Sequence, residues 1–257
     1  PYVPRKNILI FSVLDVGEYQ EADPSDRVRV EELLWASFVE ALKPDLVIIS
    51  SLFEGDDAAI GIGSIPRRYA LAIILYDLIP LMNPAQYLKD APFRALYLGK
   101  VEAAQKCDLF LAISESSRQE GFEYLGVEKQ RIFNIGAGYD AQKFRLRKVP
   151  EDRSQALKSS YGLDRPFIMA AGAADERKNL PRLIEALALL PDELREKYQL
   201  LLVGKMTEGQ MAGLSGIAKA HGLGSQDVRF TGYIDDEALI DLYSLTALYV
   251  FPSWHEG

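Results

Sequence analysis

Short apolar runs alternate along this chain with amphipathic stretches of helical period. Runs at 7–13, 46–50, 71–75, 109–113 and 132–135 read as strands, and a second series follows at 167–171, 200–203, 228–230 and 248–251. Between them, apolar positions recur with a helical period over 25–42, 92–106, 116–125, 180–190, 209–221 and 235–245, which predicts helices. Strands that alternate with helices predict βα units in parallel sheets covered on both faces. The alternation breaks at a charged segment, Lys143, Arg145, Arg147, Lys148, Glu151, Asp152 and Arg153, which also carries Pro150. That composition suits a linker. The expected fold is α/β, with two Rossmann-like domains at 1–147 and 148–257.

Composition narrows the function classes. With 257 residues, 48% hydrophobic and 26% charged, the chain is of ordinary globular make-up and long enough for two domains. A net charge of −8 argues against nucleic acid as a partner, because that needs clustered Lys and Arg. One cysteine, Cys107, allows no internal disulfide and suits a reducing, cytoplasmic setting. The longest apolar stretch, 69–82, is interrupted by Asp77 and Pro80 and is too short to span a bilayer.

The strongest local chemistry lies between Gly172 and Pro181. Arg177 and Lys178 follow the strand at 167–171 and precede the helix at 180–190, with Asn179 placed as its N-cap and Pro181 in its first turn. The free N–H groups and positive dipole end of a helix favour an anion. Two cations there repel the dipole unless an anion joins them. A pyrophosphate satisfies both, with Lys as a point charge and Arg as a planar fork. Glu256 lies just beyond the apolar run 248–251, which Pro252 ends, and open α/β sheets bind ligands at such strand ends.

Other constellations are weaker. Asp56-Asp57 and Asp235-Asp236 lack further ligands for a metal, and the second pair suits a helix start. His221 and His255, the only histidines, do not make a zinc site; His221 suits a helix end. Gly61-Ile62-Gly63 lacks a third glycine and a preceding strand, and Ser114, Ser116 and Ser117 suit capping rather than a triad. No metal and no other cofactor is expected.

Six stretches in order carry a resemblance: 76–81 (Tyr-Asp-Leu-Ile-Pro-Leu), 107–117 (Cys-Asp-Leu-Phe-Leu-Ala-Ile-Ser-Glu-Ser-Ser), 175–187, 201–204 (Leu-Leu-Val-Gly), 228–234 (Val-Arg-Phe-Thr-Gly-Tyr-Ile) and 251–257 (Phe-Pro-Ser-Trp-His-Glu-Gly). Together they resemble the family 4 (group 1) retaining glycosyltransferases of GT-B architecture, and within these the mannosyltransferase-like enzymes of surface-polysaccharide assembly. The resemblance implies two Rossmann-like domains facing across a cleft, the first on the acceptor side and the second binding a nucleotide-diphosphate sugar donor. It implies a glycan or lipid-linked acceptor, is compatible with peripheral membrane contact at the inner face, and makes Glu256, Lys178 and Tyr76 the catalytic set. Lys178 matches the family's lysine on the donor diphosphate, and Glu256 the first glutamate of its E-x7-E motif. Tyr233 and Ile234 match the loop against the base, while Gly172 and Gly204 match glycines close to the ligand. Arg177 and His255 adjoin these positions and are assigned to the donor, whereas Glu54, just past a strand end, is the acceptor-side choice.

Three departures from the family pattern stand out. Ala173 replaces an arginine that many members carry after the first glycine, and Tyr76 stands where the family has a histidine. The opening strand with its Gly-rich loop and the second glutamate of E-x7-E have no counterpart, so the chain is expected to be incomplete at both ends. Two alternatives stay open: an epimerase or phosphorylase of the same architecture, and a non-catalytic glycan- or nucleotide-binding module.

Overall fold

The computed structural model describes residues 3–11, 24–53, 60–63 and 65–257. The acceptor-side choice, Glu54, lies outside the described residues. Two compact units divide between Ala137 and Gly138, with Gly257 grouped with the first.

The first unit holds a parallel sheet in sequence order, β1 (Leu46–Ile49), β2 (Ala70–Leu75), β3 (Leu109–Ala112) and β4 (Ile132–Asn134). Helices α1 (Pro24–Ala41), α2 (Ile79–Met82), α3 (Pro84–Tyr87), α4 (Ala91–Gln105) and α5 (Glu115–Leu125) connect and cover it. Ile73, Leu75, Phe110 and Ala112 are wholly buried, as expected of parallel strands between helices. Asp90 caps α4 by accepting from the Phe93 N–H at 2.8 Å, and Ser114 caps α5 through Ser117 N at 2.9 Å. The capping role expected of Ser114 is therefore met.

The strand expected at 7–13 does not form over its described part. Arg5–Asn7 is a turn of 3-10 helix, residues 8–11 are irregular, and Ile8, Leu9 and Ile10 are exposed. An apolar run becomes a strand only where a neighbour completes its hydrogen bonds, and no described strand pairs with this one.

The second unit contains α6 (Glu151–Tyr161), β5 (Phe167–Ala171), α7 (Leu180–Ala188), α8 (Asp192–Lys197), β6 (Gln199–Val203), α9 (Glu208–Ala220), β7 (Val228–Phe230), α10 (Asp236–Leu245) and β8 (Leu248–Tyr249). Its parallel sheet has the order β7-β6-β5-β8. Strand periodicity sends side chains alternately to two cores. Ala170, Leu200 and Leu202 meet Leu180, Ile184, Leu187 and Leu214, whereas Phe167, Met169, Leu201 and Val203 meet Leu163 and Leu242. Gln199 is fully buried at the start of β6, and its carboxamide is satisfied: it accepts from Asp164 N and Arg165 N at 3.0 Å and donates to Gln226 O at 2.7 Å and Gly162 O at 3.2 Å.

The second unit begins at Gly138, ahead of the expected start at 148, because the charged segment is anchored rather than loose. Lys143 pairs with Asp236 at 2.5 Å, and Arg147 with Asp241 and Glu237, each at 2.8 Å. Arg153 bonds the other oxygen of Asp241 at 3.0 Å. Asp241 is 4% exposed. Burial pushes its carboxyl up, but hydrogen bonds and charge from Arg147 and Arg153 outweigh this and hold it below the usual aspartate range. Residues 151–153, expected in the linker, open α6. Glu151 and Asp152 occupy its first turn, and Gly162 ends it at φ 64°.

Candidate functional site

The carboxyl ends of β5, β6 and β8 bring most of the expected site residues together. Gly172 follows β5 and Gly204 follows β6, with φ of 143° and 144°, a region that side chains rarely adopt. A Cβ on Gly204 would sit 2.2 Å from the Gly172 carbonyl oxygen. Only hydrogen at that Cα lets the two strand ends lie against each other. A Cβ on Gly172 would meet the Lys178 side chain at 3.5 Å, so the lysine stem runs along the glycine.

Beyond Gly172 the chain makes a 3-10 turn at Glu176–Lys178, capped by Asp175, which accepts from Arg177 N at 2.9 Å. Lys178 donates from Nζ to Glu256 Oε1 at 2.6 Å and lies 5.3 Å from the Phe251 ring centre. Arg177 faces Glu256 Oε2 at 3.4 Å and Asp175 Oδ1 at 3.4 Å. Burial pushes the Glu256 carboxyl up, but the Lys178 hydrogen bond and the charges of Lys178 and Arg177 outweigh it and hold the group below the ordinary glutamate range. Two cations and two carboxylates thus form one partly buried network.

This changes the electrostatic picture drawn from the sequence. There, Arg177 and Lys178 awaited an anion at a helix start. Here Glu256 and Asp175 already satisfy them, so an incoming anion has to compete for the ammonium. Asn179 also departs from expectation. It occupies the N-cap position of α7 at φ 56°, yet its side chain makes no capping bond and instead donates to the Pro252 carbonyl at 3.0 Å. A second tie runs from the Trp254 N–H to the Arg177 carbonyl at 2.8 Å. The loops after β5 and β8 are therefore clipped together. Gln210 adds a bond to the Ala174 carbonyl at 3.1 Å from α9, whose start is closed by a reciprocal Thr207–Gln210 capping box.

His255 is partly buried beside Glu256. Tyr233 and Ile234 follow β7, one strand beyond β6. Tyr233 is 81% exposed, whereas Ile234 packs against the core under α10. Asp235 caps α10 by accepting from Ala238 N at 2.7 Å, as its helix-start placement anticipated. In the first unit, Tyr76 follows β2 and is 46% exposed, and its carbonyl accepts from the Ser117 hydroxyl. Ser51, Phe53, Tyr76, Asp77, Phe93 and Tyr97 line a cavity of about 200 Å³ there. Among the described residues no helix is long and apolar enough to cross a membrane. Cys107 is buried, and burial pushes its thiol up to about 12, where it is inert at neutral pH.

Sequence reasoning missed the Lys178–Glu256 pair as a contact, because the two are 78 positions apart. It also missed Phe251 beneath the ammonium. The signal for both was the shared placement of the two segments at strand ends.

Residues 153–257 match the family described as glycosyl transferases group 1. The serotype-specific mannosyltransferase WbdA of Escherichia coli is 33% identical over 254 residues, which is 98% of this chain and 31% of WbdA. The chain thus spans about a third of the length of that curated relative. Among solved structures, a glycosyltransferase from Rickettsia africae superposes with a TM-score of 0.65 at 16% identity, covering 91% of this chain and 57% of its own. Anabaena HepE, determined in complex with UDP, gives 0.62 at 20% identity, covering 87% of this chain and 57% of its own. These likenesses show the GT-B fold.

Proposed function

We propose, from the premise that residues 153–257 of this chain belong to the group 1 glycosyl transferases, that it takes part in moving a hexosyl group from a nucleotide-diphosphate sugar to a glycan or lipid-linked acceptor. Mannose is the favoured sugar, since the relative that aligns over 98% of this chain, and over 31% of its own length, carries a mannosyltransferase name. The observation that carries the reading is the Lys178 ammonium, held at 2.6 Å by Glu256 above Gly172 at the strand ends.

The chemistry follows from those groups. The bond between the sugar C1 and the diphosphate oxygen breaks, and its electron pair stays on the diphosphate. Lys178 and Arg177 offset that charge, and a preorganised contact of this kind contributes roughly 2.7–4 kcal/mol to the transition state. The acceptor oxygen forms its bond to C1 on the same face, which retains configuration, and its proton passes to the departing diphosphate oxygen. Glu256 hydrogen-bonds the transferred sugar, and Gly172 and Gly204 let backbone approach the phosphates. Arg177 supplies from the next turn the charge that Ala173 lacks. Tyr76 takes the histidine's place as a neutral hydrogen-bonding group in the first unit. Tyr233 and Ile234 lie against the base.

The test is a screen of guanosine-, uridine- and adenosine-diphosphate sugars by thermal shift, followed by proton NMR of the product anomer. The expected result is stabilisation by one donor and a product with the donor's anomeric configuration. No stabilisation by any donor, or an inverted product, overturns the proposal.

A further inference from the structure

A second basic cavity lies at the opposite end of the second unit's sheet. Its volume is about 830 Å³, within the range of small-molecule sites. The segments around it are the end of α6, the turn between α9 and β7, and β7 itself, so it opens where β5 and β7 begin. The site described above stands where β5 and β6 finish, five residues further along β5 at about 3.3 Å each.

The lining chemistry is one-sided. Arg229 and Lys219 are its charged residues, and no carboxylate lines it, although the chain carries a net charge of −8. Ser160, Ser215, Ser225 and Tyr161 add hydroxyls. The Arg229 guanidinium lies against Gly162, where a Cβ would come within 2.8 Å of Cζ, so the αL glycine that ends α6 makes room for it. Arg229 Nε is buried without a hydrogen-bond partner among the described residues. No carboxylate neutralises this guanidinium among the described residues, so its charge is held in place by packing against Gly162 and is left for a ligand that reaches its outer nitrogens. Lys219, exposed in the last turn of α9, can deliver a second charge to the same ligand.

We propose that Arg229 and Lys219 form a second anion site that takes the phosphate ester of a small molecule, separate from the Lys178 site. The guanidinium offers a planar fork to phosphate oxygens, the ammonium a point charge, and the serines complete the oxygen shell. The cavity's volume far exceeds a lone phosphate ion, so the rest of the ligand occupies the space beside Tyr161 and Phe230.

The experiment uses the full chain carrying Lys178→Met and Arg177→Gln, which removes both diphosphate cations of the first site. Inorganic pyrophosphate is titrated in by calorimetry, and Arg229→Gln and Lys219→Gln are compared on that background. A parallel arm measures cosedimentation with phosphatidylcholine vesicles containing phosphatidylglycerol, which separates a lipid headgroup from a soluble ester. Each substitution is expected to weaken saturable binding about tenfold or more in one arm, as for loss of one charge-assisted hydrogen bond. Lys219→Gln alters only an exposed helix end, so the test survives if Arg229→Gln fails to fold. Absence of binding in both arms, or binding unchanged by both substitutions, overturns the proposal.

Discussion

Replacing Lys178 by methionine and Glu256 by glutamine, singly and together, isolates the contact at the centre of the strand-end network. A hydrogen bond between charged partners contributes about 1.5–3 kcal/mol. Side-chain exposures of 17% for Lys178 and 29% for Glu256, with Arg177 as a second cation at 3.4 Å, place this one at the lower end. A double-mutant cycle from urea unfolding, followed by circular dichroism, should therefore give a coupling of about 1.5 kcal/mol. Coupling below about 0.3 kcal/mol would refute the structural account, because the 2.6 Å bond would then be worth no more than an exposed ion pair. The same variants separate stability from function. Glu256→Gln releases the ammonium from its carboxylate, so pyrophosphate affinity at this site should hold or rise, whereas Lys178→Met should lower it about tenfold, the equivalent of roughly 1.4 kcal/mol. Parallel losses in both variants would mean that Lys178 acts only through folding.

Further outcomes follow from neighbouring groups. Gly204→Ala should cost about 2–4 kcal/mol and Gly172→Ala about 1–3 kcal/mol, since both strain a positive φ but only the first drives a Cβ to 2.2 Å from backbone; equal melting temperatures would contradict this. Asp241 has a depressed carboxyl, so its contribution is complete above the ordinary aspartate value and disappears as pH falls through the lower folded value. Asp241→Asn should thus lower the urea midpoint at pH 7 and flatten the loss of stability as the pH falls below the ordinary aspartate value, and an unchanged acid limb would count against it. Glu256 titrates with the same sign, so pyrophosphate should gain on its carboxylate competitor as the pH falls through the group's lowered value, beneath the ordinary glutamate range, measured as tighter binding once the ligand's own protonation is subtracted.

The alternation of strands and helices was legible because parallel strands between helices are continuous apolar runs, and β5 and β7 match their expected spans. α6 was not, because Glu-Asp-Arg-Ser-Gln-Ala-Leu-Lys-Ser-Ser-Tyr buries only Ser154 and Leu157, too few to register as a period. Its acidic first turn and Gly162 were the available signs. The run expected at 7–13 failed over its described part, residues 7–11, for the opposite reason: it has the composition of a strand, but composition does not supply a partner. In the site, the residue types were readable and their mutual satisfaction was not. That Glu256 would neutralise Lys178, or that Asn179 would abandon capping for Pro252, depends on how a distant strand end is set down beside α7.

The two bonds that clip the loop after β5 to the loop after β8 have a kinetic consequence. Asn179 to Pro252 and Arg177 to Trp254 join segments that would otherwise open independently. Their breathing becomes a single event in which all four contacts, including both bonds to Glu256, must part together. The Trp254 amide should then exchange its hydrogen slowly for a loop position, at the pace of the whole cradle rather than of its own turn. A ligand that seats on Lys178 meets a glutamate already held in place, and any substitution that loosens one loop is felt at once by the other.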